Sequence, residues 1–187
     1  MGKDPTTTRQ NLIRSATATL ANHPGASLEE IARRAGVGRA TLHRHFGSRD
    51  GLIHELTREA ISATDRAMAE IPLDLSATDV LRAVIEAMVP LGDRYHFLTQ
   101  EAASVTDPEI NAEIERQMRD MQELVAAVKR EGTIAPDVPD AWVVSAFDAL
   151  VYAAWTSVHG GWIARRDAPG LVFRTLVSGL QPPSPDS

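Results

Sequence analysis

The chain of 187 residues contains no cysteine. That absence removes disulfides, thiolate zinc sites and cysteine nucleophiles, and it fits a chain kept in a reducing compartment. No uninterrupted apolar run reaches the ~18–20 residues that a bilayer span needs. The opening Met1-Gly2-Lys3-Asp4-Pro5-Thr6 lacks the apolar stretch of a signal peptide. It matches the loose myristoylation pattern without a second anchoring signal, so no membrane partner is expected. His-Glu-x-x-His is missing, as is any internal repeat, and no run of alternating β-branched residues competes with helix. The expectation is a soluble, cytoplasmic, all-α chain with no metal, no cofactor and no catalytic set.

Positive charge is also scarce overall, with a net of −6, which taken whole argues against nucleic acid. The distribution reverses that reading. Residues 1–60 hold nine Lys/Arg against six Asp/Glu and four of the six His, whereas residues 61–187 hold ten against nineteen. An asymmetry of this kind marks a nucleic-acid-binding end, so DNA contact is expected in the first sixty residues only.

The chain reads as about nine helices. Thr6-Thr7-Thr8 offers cap hydroxyls before Leu12, Ile13, Ala16 and Leu20, and Asn22-His23-Pro24-Gly25 stops that helix. Ser27-Leu28-Glu29-Glu30 is a capping box opening a second. A longer helix starts at Ser48 and runs to Pro72. Ser76 caps a fifth helix that Pro90 and Gly92 kink or end, and Tyr95–Leu98 reads as a short sixth. Asp107-Pro108 caps a long seventh helix ending at Gly132. Two more follow, over 140–164 and 169–180, before a disordered-looking tail, 181–187. The expected domains are 1–50, 51–180 and that tail.

The segment Ser27–Phe46 carries the chemistry. Two short helices flank Ala35-Gly36-Val37-Gly38, a tight helix-turn-helix in which Gly36 takes the left-handed conformation and Val37 plugs the angle. Leu42 and Phe46 are then i,i+4 and face the core with Ile31. The same rotation sends Ala40, Thr41 and Arg44 outward, with Arg39 and His43 flanking, a composition suited to a major groove. Gly36-x-Gly38 follows a helix rather than a strand, so it is no phosphate loop. His43 and His45 diverge by roughly 200° on a helix and make no metal pair.

The run Ile31-Ala32-Arg33-Arg34-Ala35-Gly36-Val37-Gly38-Arg39-Ala40-Thr41-Leu42-His43-Arg44-His45-Phe46-Gly47-Ser48-Arg49-Asp50-Gly51-Leu52 resembles the signature of the TetR (tetracycline-repressor) family. The resemblance implies a three-helix DNA-binding head followed by a larger helical domain for effector binding and dimerisation. It implies base reading from Arg39, Ala40, His43 and Arg44, and phosphate contact from Ser27, Thr41, His45 and Arg49. Three positions depart from the pattern: Gly38 stands for the usual Ser cap, Ala40 for a frequent Gly, and His43 for the usual Tyr. The implied partners are a palindromic double-stranded DNA operator, a small-molecule effector and a second copy of the chain.

In the C-terminal part, the helix over 140–164 is apolar or small nearly all round and should be central. Ala146, Ala149, Ala153, Ser157 and Gly160 form a small-residue stripe. With Leu171, Leu176, Val177 and Leu180 it is the candidate dimer face, against the alternative of packing within the chain. Opposite run Asp148, Tyr152, Trp155 and His159, a line that Trp162 continues, and burying Asp148, Tyr152 and His159 demands partners. Facing a cavity with Met88, Tyr95, Phe97, Met118 and Met121, they form the candidate site for an apolar effector. The expected function is therefore a ligand-responsive transcriptional regulator, a repressor that leaves its operator on binding a small apolar molecule. The alternatives are a DNA-binding protein whose C-terminal core is closed, and an all-α enzyme using Asp148 and His159 as an acid–base pair.

Overall fold

Four of the helices start at a side chain that caps them: Ser27, Ser48, Ser76 and Asp107. A computed structural model describes residues 5–95, 97–98 and 107–180, with only the backbone described for 5–8 and 93. Among the described residues there are eight helices and no strand: α1 Pro5–Asn22, α2 Leu28–Arg34, α3 Arg39–Phe46, α4 Arg49–Ala69, α5 Ala77–Tyr95, α6 Pro108–Arg130, α7 Asp140–His159 and α8 Ala168–Gly179. The Ser27 hydroxyl accepts from Glu30 N at 3.2 Å, Ser76 Oγ accepts from Asp79 N at 3.1 Å, and Asp107 Oδ1 accepts from Glu109 N at 2.8 Å. These are the caps expected at α2, α5 and α6. A further one is supplied from a distance: the Glu131 carboxylate accepts from Ala77 N at 2.6 Å and Thr78 N at 2.9 Å, at the start of α5. Those hydrogen bonds, led by the Thr78 hydroxyl, hold the Glu131 pKa below its ordinary value.

Several expected boundaries shift. α1 already begins at Pro5, ahead of the threonines read as caps, since Pro is tolerated in a first turn. α5 runs on through Pro90, giving up the one backbone bond that a proline nitrogen cannot make. α7 stops at His159 because Gly161 takes φ 72°, which turns the chain sharply. Trp162 thus lies past the helix and is 80% exposed. The helix expected over Tyr95–Leu98 falls partly on residues outside the described set, as do the Met1-Gly2 pattern and the 181–187 tail.

The chain divides into two compact units. The first takes the described residues up to Ser62 and those within Arg94–Ile110. Its core gathers Leu12, Ala16, Leu20, Ile31, Leu42, Phe46, Leu52 and Leu56, with Phe97 and Leu98. The second takes Ala63–Asp93 and the described residues from Asn111 onward, around Leu81, Ile85, Val125, Val128, Ile134, Val143, Phe147 and Leu176. Each fully buried aliphatic side chain contributes about 1.5–3 kcal/mol. Among the described residues, α7 alone is long and apolar enough in mean hydropathy to cross a membrane, although charge interrupts every long apolar run in the sequence. Here Val143, Val144, Phe147, Val151 and Ala154 of α7 are buried in the core of the second unit.

Where α5 and α7 approach, the contact requires a glycine. A Cβ on Gly92 would lie 1.3 Å from the Trp155 ring, so the indole occupies the space that any side chain at 92 would need.

Candidate DNA-reading face and effector cavity

The helix-turn-helix is built as the residues dictate. Gly36 adopts φ 67° after α2, Val37 N donates to Ala32 O at 3.0 Å, and Val37 packs partly buried against the core of the first unit. Leu42 and Phe46 are buried, which fixes the rotation of α3 and leaves Arg39, Ala40, His43 and Arg44 exposed, with Thr41 and His45 half-buried. Gly38 caps α3 without a side-chain hydrogen bond. No Gly38 side chain therefore competes for the first amides of α3, a favourable end for a phosphate. Arg9 sits 5.8 Å above the Phe46 ring and pairs with Glu55 at 2.5 Å, bracing α1 and α4 around the end of α3.

Two of the candidate DNA contacts have partners inside the chain. Arg39 pairs with Glu29 of α2, both side chains being exposed. Arg49 Nη2 donates to Pro24 O at 2.9 Å, so it ties the start of α4 to the loop after α1. Ser27, besides facing solvent, holds the cap of α2. At the other end of the first unit, Asp107 accepts from His54 of α4 and from Arg58 at 3.2 Å. Arg58 also reaches Glu109 at 2.6 Å. The His54 contact, the Glu109 amide and Arg58 together hold the Asp107 carboxyl down at about 2.

The second unit contains a cavity of about 680 Å³, lined from α4 by Thr64, Asp65 and Met68 and from the following loop by Ile71, Pro72 and Leu73. From α5 come Val80, Val84 and Met88; from α6, Ile114, Arg116, Gln117, Met118, Asp120, Met121 and Leu124; from α7, Val144, Phe147 and Asp148. Leu73 is fully exposed and forms its rim. The size is that of an ordinary small-molecule site. Arg116 crosses one wall. It binds Asp65 through two bonds of 2.7 and 2.8 Å, Glu113 at 2.8 Å and Asp120 at 3.0 Å. Desolvation pushes the Asp65 carboxyl up, but the bonds from Arg116 and Gln117 outweigh it and leave its pKa lowered. Among the described residues Asp148 has no such partner; it is exposed, and partial desolvation on the cavity side raises its pKa.

Of the nine residues expected at the effector site, the structure brings together Met88, Met118, Met121 and Asp148. Tyr95 and Phe97 instead pack with the core of the first unit. Trp155 packs against the core of the second unit, Tyr152 is 43% exposed and His159 is exposed. Asp148, Tyr152, Trp155 and His159 share a side of α7 by angle, but helical angle says nothing about which neighbour lies at each height along the axis. Asp148 and His159 are eleven residues apart on one helix, about 16 Å along it, too far for an acid–base pair. Asp65, Met68, Ile114 and Arg116 were not picked out from sequence. Their only signal was an i,i+4 apolar stripe on α6 that stays unusually open, with Ile114 and Met118 about two-fifths exposed.

The small-residue stripe also divides. Ala149, Ala153, Gly160 and Leu171 are exposed. Ala146, Ser157 and Leu180 are half-buried. Leu176 and Val177 lie in the core of the second unit, 1% and 9% exposed, because α8 turns that edge inward. The outward face of α7 is completed by Trp142, Tyr152 and Thr156. Thr156 donates its hydroxyl to Ala153 O at 3.0 Å, within its own helix.

Residues 13–56 match the model of the bacterial regulatory proteins of the tetR family. The HTH-type transcriptional repressor LfrR of Mycolicibacterium smegmatis is 30% identical over 174 residues, covering 92% of this chain and 90% of LfrR. A crystal structure of LfrR from Mycobacterium smegmatis in complex with proflavine superposes with a TM-score of 0.78 at 28% identity, over 95% of this chain and 98% of that one. The ketosteroid regulator KstR2 of Mycobacterium tuberculosis shares the fold, with a TM-score of 0.71 at 17% identity over 97% and 98% of the two chains.

Proposed function

The chain belongs to the TetR family of DNA-binding transcriptional regulators, and on that premise we propose that it is a homodimeric repressor released from a palindromic operator by a small apolar effector. The observation that carries this reading is the 680 Å³ cavity, largely apolar, open at one side and formed within one unit, in a chain that also presents an exposed, arginine-bearing α3. A regulator without an effector would call for a closed core there. Regulation rather than catalysis is the activity of the family.

Arg39, Ala40, His43 and Arg44 read base edges, while Thr41, His45, Ser27 and Arg49 meet phosphates. Two copies associate through the outward face of α7 and α8: Trp142, Ala149, Tyr152, Ala153 and Thr156, with Leu171. This set gains Tyr152 from the effector list and loses Leu176 and Val177 to the core. A dimer of such heads reads an inverted repeat whose half-sites lie about one helical turn apart or somewhat more. α4 is the lever. Its residues 49–62 belong to the first unit and 63–69 to the second, so a ligand pressing on Met68 acts on the helix that carries Arg49. A hundredfold loss of operator affinity needs about 2.7 kcal/mol of differential ligand binding. The site of action is the cytoplasm, where the DNA is.

Selection of DNA bound by the purified protein from a random pool tests the reading. The expected outcome is an enriched inverted repeat. A direct repeat, a lone half-site or no enrichment would overturn it.

A further inference from the structure

We propose that Glu29 is a specificity-determining residue: its carboxylate aligns the Arg39 guanidinium for guanine and withholds it from phosphates. This rests on Arg39 reading base edges, as the proposed function assigns, and names what makes that reading selective. Arg39 opens α3 and Glu29 lies in the first turn of α2. Their side chains pair across the helix-turn-helix, Arg39 Nη1 donating to Glu29 Oε1. The backbone between them is held in place. Gly36 N donates to Arg33 O at 3.2 Å and Val37 N to Ala32 O at 3.0 Å, while the fully buried Ile31 and Leu42 lock the two helices into one core. The first turn of α3 has no acidic residue of its own, and the neighbouring Glu30 is taken by Arg34 within α2 at 3.1 Å. Glu29 is thus the carboxylate that meets Arg39. The Arg44 side chain, further along α3, has no ion pair or hydrogen bond among the described residues.

The pair engages one corner of the guanidinium. Its N–H groups form a planar fork, and with Nη1 turned to Glu29 the Nε/Nη2 edge stays open for the N7 and O6 acceptors of guanine. An arginine on an unsupported stem gives up rotamer freedom to make both bonds at once, whereas one already aligned gives up less. Both side chains are exposed, 71% and 65%, so the pair adds little to stability and its effect falls on what approaches α3. A phosphate near Arg39 meets the Glu29 charge as well, which weakens the attraction that every sequence shares. Guanine is uncharged and offers two aligned acceptors, so its contact with the open edge loses less. Specificity is a difference of affinities, and Glu29 lowers the non-cognate one more. An acidic residue beside the reading helix therefore costs affinity and raises selectivity.

Selection from a random DNA pool, run on the full chain and on its Arg39→Ala, Glu29→Ala and double variants, tests this position by position. Arg39→Ala should erase the base preference at one position of each half-site. Glu29→Ala should relax that same position by at least about threefold and leave the others unchanged. Its affinity for an unrelated duplex should rise more than its affinity for the selected operator. The salt dependence should steepen by about one unit of slope per subunit, as the released arginine turns to a phosphate. In the Arg39→Ala background, Glu29→Ala should alter no base preference. A structural or general charge effect would instead move all positions alike in both backgrounds. An unchanged preference at the Arg39 position in Glu29→Ala, or relaxation at positions that Arg39→Ala leaves intact, overturns the role of Glu29. Selection of the parent motif in full by Arg39→Ala overturns the base-reading assignment of Arg39, and the role of Glu29 with it.

Discussion

Gly92→Ala should change sign according to what stands at position 155. In a helix interior, alanine is favoured over glycine by about 0.8–1 kcal/mol. Here the added Cβ would fall 1.3 Å from one Trp155 ring atom and 1.7 Å from another. No packing tolerates that overlap, so the indole must move away from α5. Overpacking of this kind costs typically 1–3 kcal/mol, and the balance is a net destabilisation of up to about 2 kcal/mol. In a Trp155→Ala background the obstacle is gone, and Gly92→Ala should stabilise by up to about 1 kcal/mol. Urea unfolding followed at 222 nm gives all four corners of the cycle at one protein concentration, with a coupling energy above about 1 kcal/mol expected. Met88 lies one turn before Gly92, and Asp148 two turns before Trp155, so this contact also sets the spacing of two cavity walls. An effect of the same sign in both backgrounds would refute the close approach and the wall geometry with it.

Arg39→Ala should weaken operator binding by about 1–3 kcal/mol, and Glu29→Gln should tighten it by about 0.2–1 kcal/mol by freeing Arg39 from a surface pair; filter binding of both variants checks the two signs. Asp107 carries a folded pKa of about 2 against an ordinary 3.8. The unfolded chain therefore binds the extra proton between those values, and this contribution is complete above pH ~4 and lost as pH falls toward 2. Asp107→Asn keeps the cap but should flatten stability against pH in that window, measured by urea titration. Ala149→Trp and Ala153→Trp place an indole on the outward face of α7 and should yield monomers in sedimentation; an intact dimer from both would move the interface elsewhere.

The head was legible because its elements are short and punctuated. Ser27, Gly36 and Gly47 mark ends that local chemistry alone decides, and Leu42 and Phe46 fix one rotation. The cavity was only half legible. Met88, Met118 and Asp148 carry the right chemistry, but Tyr152 and Trp155 share their face of α7 with Asp148 and still meet different surroundings, because the partner helix changes along the axis. Leu176 and Val177 failed for a related reason: an apolar helix stripe looks the same facing its own core or a second copy. The Arg116 network escaped notice because it joins α4 to α6 across fifty residues of chain, a pairing that no local pattern encodes.

The most direct test of the account compares one selected operator as a full inverted repeat and as a single half-site, each with and without a saturating ligand of the 680 Å³ cavity. If the ligand acts by changing how two heads fit one palindrome, full-site affinity should fall on the order of a hundredfold while half-site affinity stays the same. Equal losses on both DNAs, or no loss on either, would contradict it.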